Sequence, residues 1–252
     1  MKSIAILHDG GFVRKRLYRL LGDHHACAND IIRLSTAICR QEEELFRIYY
    51  YDCLPLEGAD TNPLLNTRMD FGKSATAKRM KSLLDSLARK DHVAFRRGQI
   101  HFTGWGLNPR ASKALLGSTT SRLGKDRKDL EIDIRMSLES LERLGLLDRA
   151  KLPKNEDRAL TQVVNCIIRP EIRQKRVDIK IGLDVAWLAS REIVDRIALV
   201  TADTDFIPAM KFARREGVQV VLVPLGMKAH PELIEHADEV RDVNLAPATA
   251  QQ

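Results

Sequence analysis

The chain has 252 residues, 44% of them hydrophobic and 30% charged, with 41 lysines and arginines against 34 aspartates and glutamates. That mix is typical of soluble globular proteins, and the length is ample to bury a core without disulfides or a structural metal. No apolar run approaches the roughly 20 residues needed to cross a bilayer. The opening MKSIAILHDGG is too short in its apolar part for a secretion signal, and Cys27, Cys39, Cys53 and Cys166 form no CxxC pair or close framework. The expectation is a cytoplasmic protein with free thiols and no membrane partner.

The excess of positive charge lies in the body of the chain. From Gly226 onward two bases, Lys228 and Arg241, face five acids. A basic body suits a polyanionic partner, nucleic acid first.

In chain order, Ser3–His8 is a short apolar run that predicts a buried strand ending at Asp9-Gly10-Gly11. Phe12–Gly22 predicts a helix, with Val13, Leu17, Leu20 and Leu21 to one side. The next helix starts at Asn29 or Asp30 and runs to about Leu45, and Phe46–Tyr51 is a second strand ending at Asp52. Residues 56–72 read as loop, and Lys73–Lys90 as a basic amphipathic helix. His92–Arg96 and Gln99–Phe102 read as a hairpin or a broken strand.

From Gly104 to about Lys128 the pattern dissolves into Gly, Ser, Thr and bases, which predicts a mobile loop; Asp129–Leu147 recovers a helical stripe. Lys175–Ser190 predicts a helix, Ile197–Thr201 a strand ending at Asp203, Phe206–Glu216 a helix, and Val218–Val223 a strand. A short helix follows near Pro231–Ala237. Strands alternating with helices argue for a parallel sheet.

In such a sheet the site lies beyond the carboxyl ends of the strands. Asp9, Asp52 and Asp203 each follow a predicted strand, Asp205 stands two residues past Asp203, and Asp178 and Asp184 lie on the helix feeding Ile197–Thr201. Converging carboxylates repel each other and cost stability when desolvated, and a divalent cation relieves that repulsion. Mg²⁺ takes a few carboxylates, waters and a phosphate oxygen, and can activate water against a phosphodiester. The pattern therefore suggests metal-dependent phosphodiester hydrolysis on a basic scaffold. Each acid also has a plainer role: a single Asp after a strand is commonly a turn or helix cap, and Asp178 could cap its own helix. Asp184 points about 240° around a regular helix from Asp178, so the two are not equal ligands.

Other features carry less. Gly117–Asp126 fails the spacing of a phosphate-binding loop, because Arg122 stands where the second glycine belongs. His24, His25 and Cys27 lack a well-spaced fourth zinc ligand. Basic clusters recur at Arg14-Lys15-Arg16-Arg19, Lys73–Lys81, Arg96-Arg97, Arg122–Lys128 and Arg169–Arg176; near a carboxylate site they would form a funnel for a phosphate backbone. Tyr49 and Tyr51 share a strand face and read as core, which leaves Trp105 as the candidate for stacking on a base.

Four stretches carry a family resemblance: AILHDGGFVRKRL (Ala5–Leu17), IYYYDCLP (Ile48–Pro55), QKRVDIKIGLDVAWLA (Gln174–Ala189) and Asp195–Val223 with its TADTDFIP core. Together with HPELIEHADEV (His230–Val240) they resemble the NYN domains of the PIN-like nuclease superfamily, in the bacterial branch of LabA-like proteins. The resemblance covers roughly residues 1–103 and 170–243. It implies a three-layer α/β/α, Rossmann-like domain over residues 1–243 with a central, mainly parallel sheet, a loop-plus-helix insertion at 104–169 and a flexible tail at 244–252.

It also implies Asp9, Asp178 and Asp203 as metal ligands, with Asp184 and Asp205 supporting them in catalysis, Thr201 as a small hydroxyl residue near the metal and Asp52 as a recurrent acid. Phe12 departs from the pattern, since many NYN domains carry Asn there. The expected function is a Mg²⁺- or Mn²⁺-dependent endoribonuclease that contacts RNA through Thr201, Asp52, Arg14, Lys15 and Trp105. Two alternatives stand beside it: a catalytically weak RNA-binding or protein-recruiting module, and the nuclease of a toxin or defence system held by a regulatory protein partner. A homo-oligomer is compatible with all three.

Overall fold

The computed structural model describes residues 1–63, 67–107, 168–243 and 245. The expected mobile loop up to Lys128, the helix at 129–147, most of the 104–169 insertion and nearly all of the 244–252 tail lie outside the described residues.

The elements in chain order are β1 (Lys2–Asp9), α1 (Gly10–Leu20), α2 (Ala28–Ile38), β2 (Glu43–Asp52), β3 (Ala59–Asn62), β4 (Thr67–Asp70), α3 (Ala75–Leu87), β5 (Val93–Arg97) and β6 (Gln99–Leu107). They continue with β7 (Ile168–Lys175), α4 (Val177–Ser190), β8 (Arg196–Val200), α5 (Ile207–Arg215), β9 (Gln219–Leu222), α6 (Pro231–Glu235) and β10 (Glu239–Val240). Six strands form one parallel sheet in the order β10-β9-β8-β1-β2-β5. The chain builds outward from β1 through β2 to β5, then returns to β1's other side and builds outward through β8, β9 and β10. The strand order therefore reverses between β1 and β8, where open α/β sheets form their ligand crevice.

Side-chain alternation along the strands builds two cores. Ala5, Leu7, Tyr49, Tyr51, Ile197, Leu199, Val220 and Leu222 face α4, α5 and α6. Ile4, Ile6, Tyr50, Ala198, Val200 and Val221 face α1, α2 and α3. With both faces covered, the strands read as unbroken apolar runs. The result is the three-layer α/β/α architecture.

The chain divides into two compact units. The first, Met1–Pro55, Lys73–Ile100 and Gln174–Gln252, holds this sheet and its helices. In the second, made of Leu56–Gly72 and His101–Arg173, β3 and β4 form an antiparallel hairpin and Phe71, Phe102 and Trp105 pack with ring centroids 5.1–6.2 Å apart.

Several elements differ from the sequence reading. The helix expected to reach Leu45 ends at Ile38, because Glu43 is drawn into β2 by tertiary ion pairs: its Oε1 lies 2.5 Å from Arg196 Nη1 and its Oε2 2.8 Å from Arg241 Nη1. Residues 56–72 hold the β3/β4 hairpin. The strands expected to form a hairpin at 92–102 join different sheets instead: β5 pairs in parallel with β2, whereas β6 pairs with β7. Lys175 closes β7, and α4 begins at Val177. Among the described residues, no helix is long and apolar enough to cross a membrane.

Candidate active site

Two acids flank the switch point. Asp9 is the last residue of β1, and Asp203 follows the end of β8 by three residues. Each carboxylate is held by local backbone geometry. Asp9 caps α1, its Oδ1 accepting from Phe12 N–H at 3.2 Å. Asp203 Oδ1 accepts from Asp205 N–H at 3.0 Å, while Thr201 Oγ1 accepts from Asp203 N–H at 3.2 Å. Thr201 is buried, so its hydroxyl fixes the loop that presents Asp203.

Asp178 comes from the first turn of α4. It is not the cap of that helix: the cap position is Arg176, in the left-handed region at φ 68°, and it makes no side-chain capping bond. Asp178 therefore favours the positive end of the helix while leaving its carboxylate exposed.

The electrostatics tie these acids together. Burial pushes the Asp9 carboxyl above its ordinary value, and the charges of Asp178 and Asp52 push it further, against the opposing bond from Phe12. Asp178, although exposed, is raised by partial desolvation against the protein surface and then by Asp203 and Asp205. Asp9, Asp178, Asp203 and Asp205 thus form one chain of mutually repelling carboxylates.

The donor set is all hard oxygen, the type that suits Mg²⁺ or Mn²⁺, and a cation placed there would remove the repulsion that raises Asp9 and Asp178. In chemistry the four acids suit a divalent ion. As their side chains stand, no group of three or more His, Cys, Asp or Glu among the described residues is gathered tightly enough to hold one.

Asp52 and Asp184 have other partners. Asp52 is fully buried; its Oδ2 accepts from Arg14 Nε at 2.8 Å, and its Oδ1 accepts from Gln174 Nε2 at 3.0 Å and from Cys53 N–H at 2.8 Å. Asp184 Oδ2 accepts from Tyr51 Oη at 2.8 Å and from Arg96 Nε at 2.9 Å. Both carboxylates are committed to arginines. Trp105, in the second unit, donates from Nε1 to Asp60 Oδ2 at 2.7 Å and meets Phe102 edge-on, and its ring is half-buried.

The sequence reading missed Gln174 and gave Arg96 only as part of a basic cluster, because their partners lie far away in the chain. It also gave no reason for Gly10. A Cβ at that position would lie 2.6 Å from the Tyr51 carbonyl oxygen and 2.7 Å from Asp52 Oδ2, so the Asp-Gly pair is a packing requirement where β1 leaves the sheet. Lys15 is exposed on α1.

The NYN domain family matches residues 120–244, just under half of the chain. The match contains Asp178, Thr201, Asp203 and Asp205. It opens inside the 104–169 stretch that the motif resemblance had set aside, and it does not include Asp9. An uncharacterised protein of Methanocaldococcus jannaschii is 30% identical over 100 residues, which is 38% of this chain and 42% of that protein. The chain thus spans less than half of that relative's length. A protein of unknown function from Vibrio parahaemolyticus, known from a crystal structure, aligns over 96% of this chain and 92% of its own with 15% identity and a TM-score of 0.43. A NYN domain implies a nuclease-type function.

Proposed function

From the match of residues 120–244 to the NYN domain family we propose that the protein is a divalent-metal-dependent endoribonuclease with Asp9, Asp178 and Asp203 as its metal ligands. The observation that carries this reading is the chain of repelling carboxylates at the β1/β8 switch point, where Asp178 raises Asp9 and is itself raised by Asp203 and Asp205. A bound Mg²⁺ or Mn²⁺ supplies an activated water and neutralises charge on the scissile phosphate.

The protein's own residues do the rest. Thr201 and the Asp205 backbone hold Asp203 in place, the Phe12 N–H holds Asp9, and Asp205 adds negative charge beside Asp178. Asp184 acts at a distance by fixing Tyr51 and Arg96, and Asp52 fixes Arg14. Lys15 contributes positive charge toward the phosphate backbone.

The test is to incubate the protein with end-labelled RNA and with DNA of the same sequence, in Mg²⁺, in Mn²⁺ and in EDTA. The reading predicts internal cuts in RNA that require either metal. Cutting that persists in EDTA, or a preference for DNA, contradicts it.

A further inference from the structure

Between α1 and α3 of the sheet-bearing unit lies a cleft of about 490 Å³. That is within the usual range of about 300–1,000 Å³ for ligand sites. Its walls carry Arg14, Lys15 and Arg19 from α1 and Arg79 from α3, against one acid, Asp23. Arg14 is tied to Asp52, and Arg79 Nη2 donates to Thr76 Oγ1. Among the described residues, Lys15, Arg19 and Arg79 have no carboxylate partner.

The floor is apolar, formed by Ala26, Met80 and Leu83. On it stand two rings, Tyr18 and His25, with centroids 4.9 Å apart and planes tilted by 44°. The end of α1 fixes this pair. Asp23 N–H returns to the Tyr18 carbonyl at 2.8 Å, closing the helix through Gly22 at φ 69°, and the chain then turns to bring His25 back over Tyr18.

Cations crowded into a concave, partly apolar site repel one another unless an anion joins them. A flat apolar floor with two rings adds a place for a planar, π-faced group. A phosphate joined to a base supplies both. The base must be unstacked to reach the rings, which excludes a regular duplex. Arg14 belongs both to the cleft wall and to the Asp52 contact, so the cleft and the end of the sheet share a residue.

We propose that the α1/α3 cleft is a nucleotide subsite for a single-stranded RNA, with its base against Tyr18 and His25 and its phosphates on Lys15, Arg19 and Arg79. The inference rests on RNA being the substrate. It adds the strand's path and its single-stranded character.

The test is a fluorescence titration of a labelled single-stranded RNA, and of the same RNA annealed to its complement, in EDTA so that no turnover occurs. Lys15→Ala with Arg19→Ala should weaken single-strand binding about 10-fold and lower the salt slope by about 1.4, at roughly 0.7 per lost phosphate contact. Tyr18→Leu should weaken it about 10-fold with the salt slope unchanged, in line with the stacking loss seen on removing an aromatic platform. Tyr18→Phe keeps the ring and should bind like the parent, and duplex binding should not respond to Tyr18→Leu.

A control pair, Lys211→Ala with Arg215→Ala, removes the same charge from exposed positions on α5. If it weakens binding as much as the cleft pair does, or if Tyr18→Leu binds like the parent, or if the parent binds no RNA, the subsite is wrong. Adding Mg²⁺ or Mn²⁺ afterwards separates the two readings. Loss of binding in the cleft variants without turnover by the parent keeps the subsite and removes the nuclease. Turnover by the parent with unaltered binding in the variants does the reverse.

Discussion

Arg14 and Asp52 are joined across the end of the sheet, Nε to Oδ2 at 2.8 Å, with the Asp52 side chain fully buried and that of Arg14 30% exposed. Asp52 therefore has a cation of its own, although part of its charge still reaches Asp9. The pair also marks where the carboxylate group stops and the basic cleft begins.

Removing one partner of a buried pair strands the other charge. Arg14→Ala is expected to destabilise the fold by about 3 kcal/mol. Adding Asp52→Asn to Arg14→Ala should recover a substantial part of the loss. Denaturant unfolding of the two single variants and the double variant measures the coupling; equal and additive losses would show that the pair holds nothing together.

Gly10 has no room for a side chain between the Tyr51 carbonyl and Asp52. Gly10→Ala is expected to cost about 1–3 kcal/mol, the range for overpacking a filled site. It should also displace Asp9, which precedes it. A thermal melt gives the first effect, and metal-dependent turnover at temperatures where the variant is folded gives the second.

Asp9 and Asp178 are both held above the ordinary carboxylate value, by desolvation first and by neighbouring acids second. For acids with raised folded-state values, the native state keeps its protons longer than the unfolded chain. Without metal, the stability owed to these groups falls as pH rises from about 3.8 through the raised values. Asp178→Asn should therefore stabilise the metal-free protein at neutral pH while removing metal-dependent turnover. Melting in EDTA and activity in Mn²⁺, run in parallel, check the opposing signs; a variant less stable than the parent would show that the carboxylates do not repel.

His8 works in the other direction. Ser35 Oγ donates to the Ile31 carbonyl at 2.8 Å, so His8 Nε2 carries the proton and donates to Ser35 Oγ at 2.8 Å, leaving Nδ1 buried without a donor. Burial drives its pKa from 6.5 to about 3. The unfolded chain takes up a proton below pH 6.5 and the native state does not, so stability is lost as pH falls from 6.5 toward 3. His8→Gln should flatten that part of the stability profile by about 1.4 kcal/mol per pH unit. An unchanged slope in urea midpoints measured across this range would place the acid sensitivity elsewhere.

Much of the fold was legible because parallel strands buried on both faces are apolar throughout, as in Ile4–Leu7, Ile197–Val200 and Val220–Leu222. The acids at the switch point were nominated by the same reading, since Asp9 and Asp203 stand two and three residues past such runs. What sequence could not supply was pairing over distance. Glu43 and Glu44 continue a helical composition, yet Glu43 belongs to a strand because Arg196 and Arg241 meet it there. Asp52 and Asp184 look like the other acids in a list of residues. Only the approach of Arg14 and Gln174 to one, and of Arg96 and Tyr51 to the other, sets them apart. Strands β3 and β4 are short and polar, so no alternation announces them.

The most direct test of the central claim is RNA cleavage in Mn²⁺ by Asp9→Asn, Asp203→Asn and Asp184→Asn beside the parent protein. The account predicts that the first two lose turnover by at least about 100-fold, the upper end of what losing a partner of a metal ligand costs. It predicts that Asp184→Asn keeps measurable activity with a lowered melting temperature, since its carboxylate holds Tyr51 and Arg96. Full activity in Asp9→Asn or Asp203→Asn would contradict the assignment of the metal to the β1/β8 switch point.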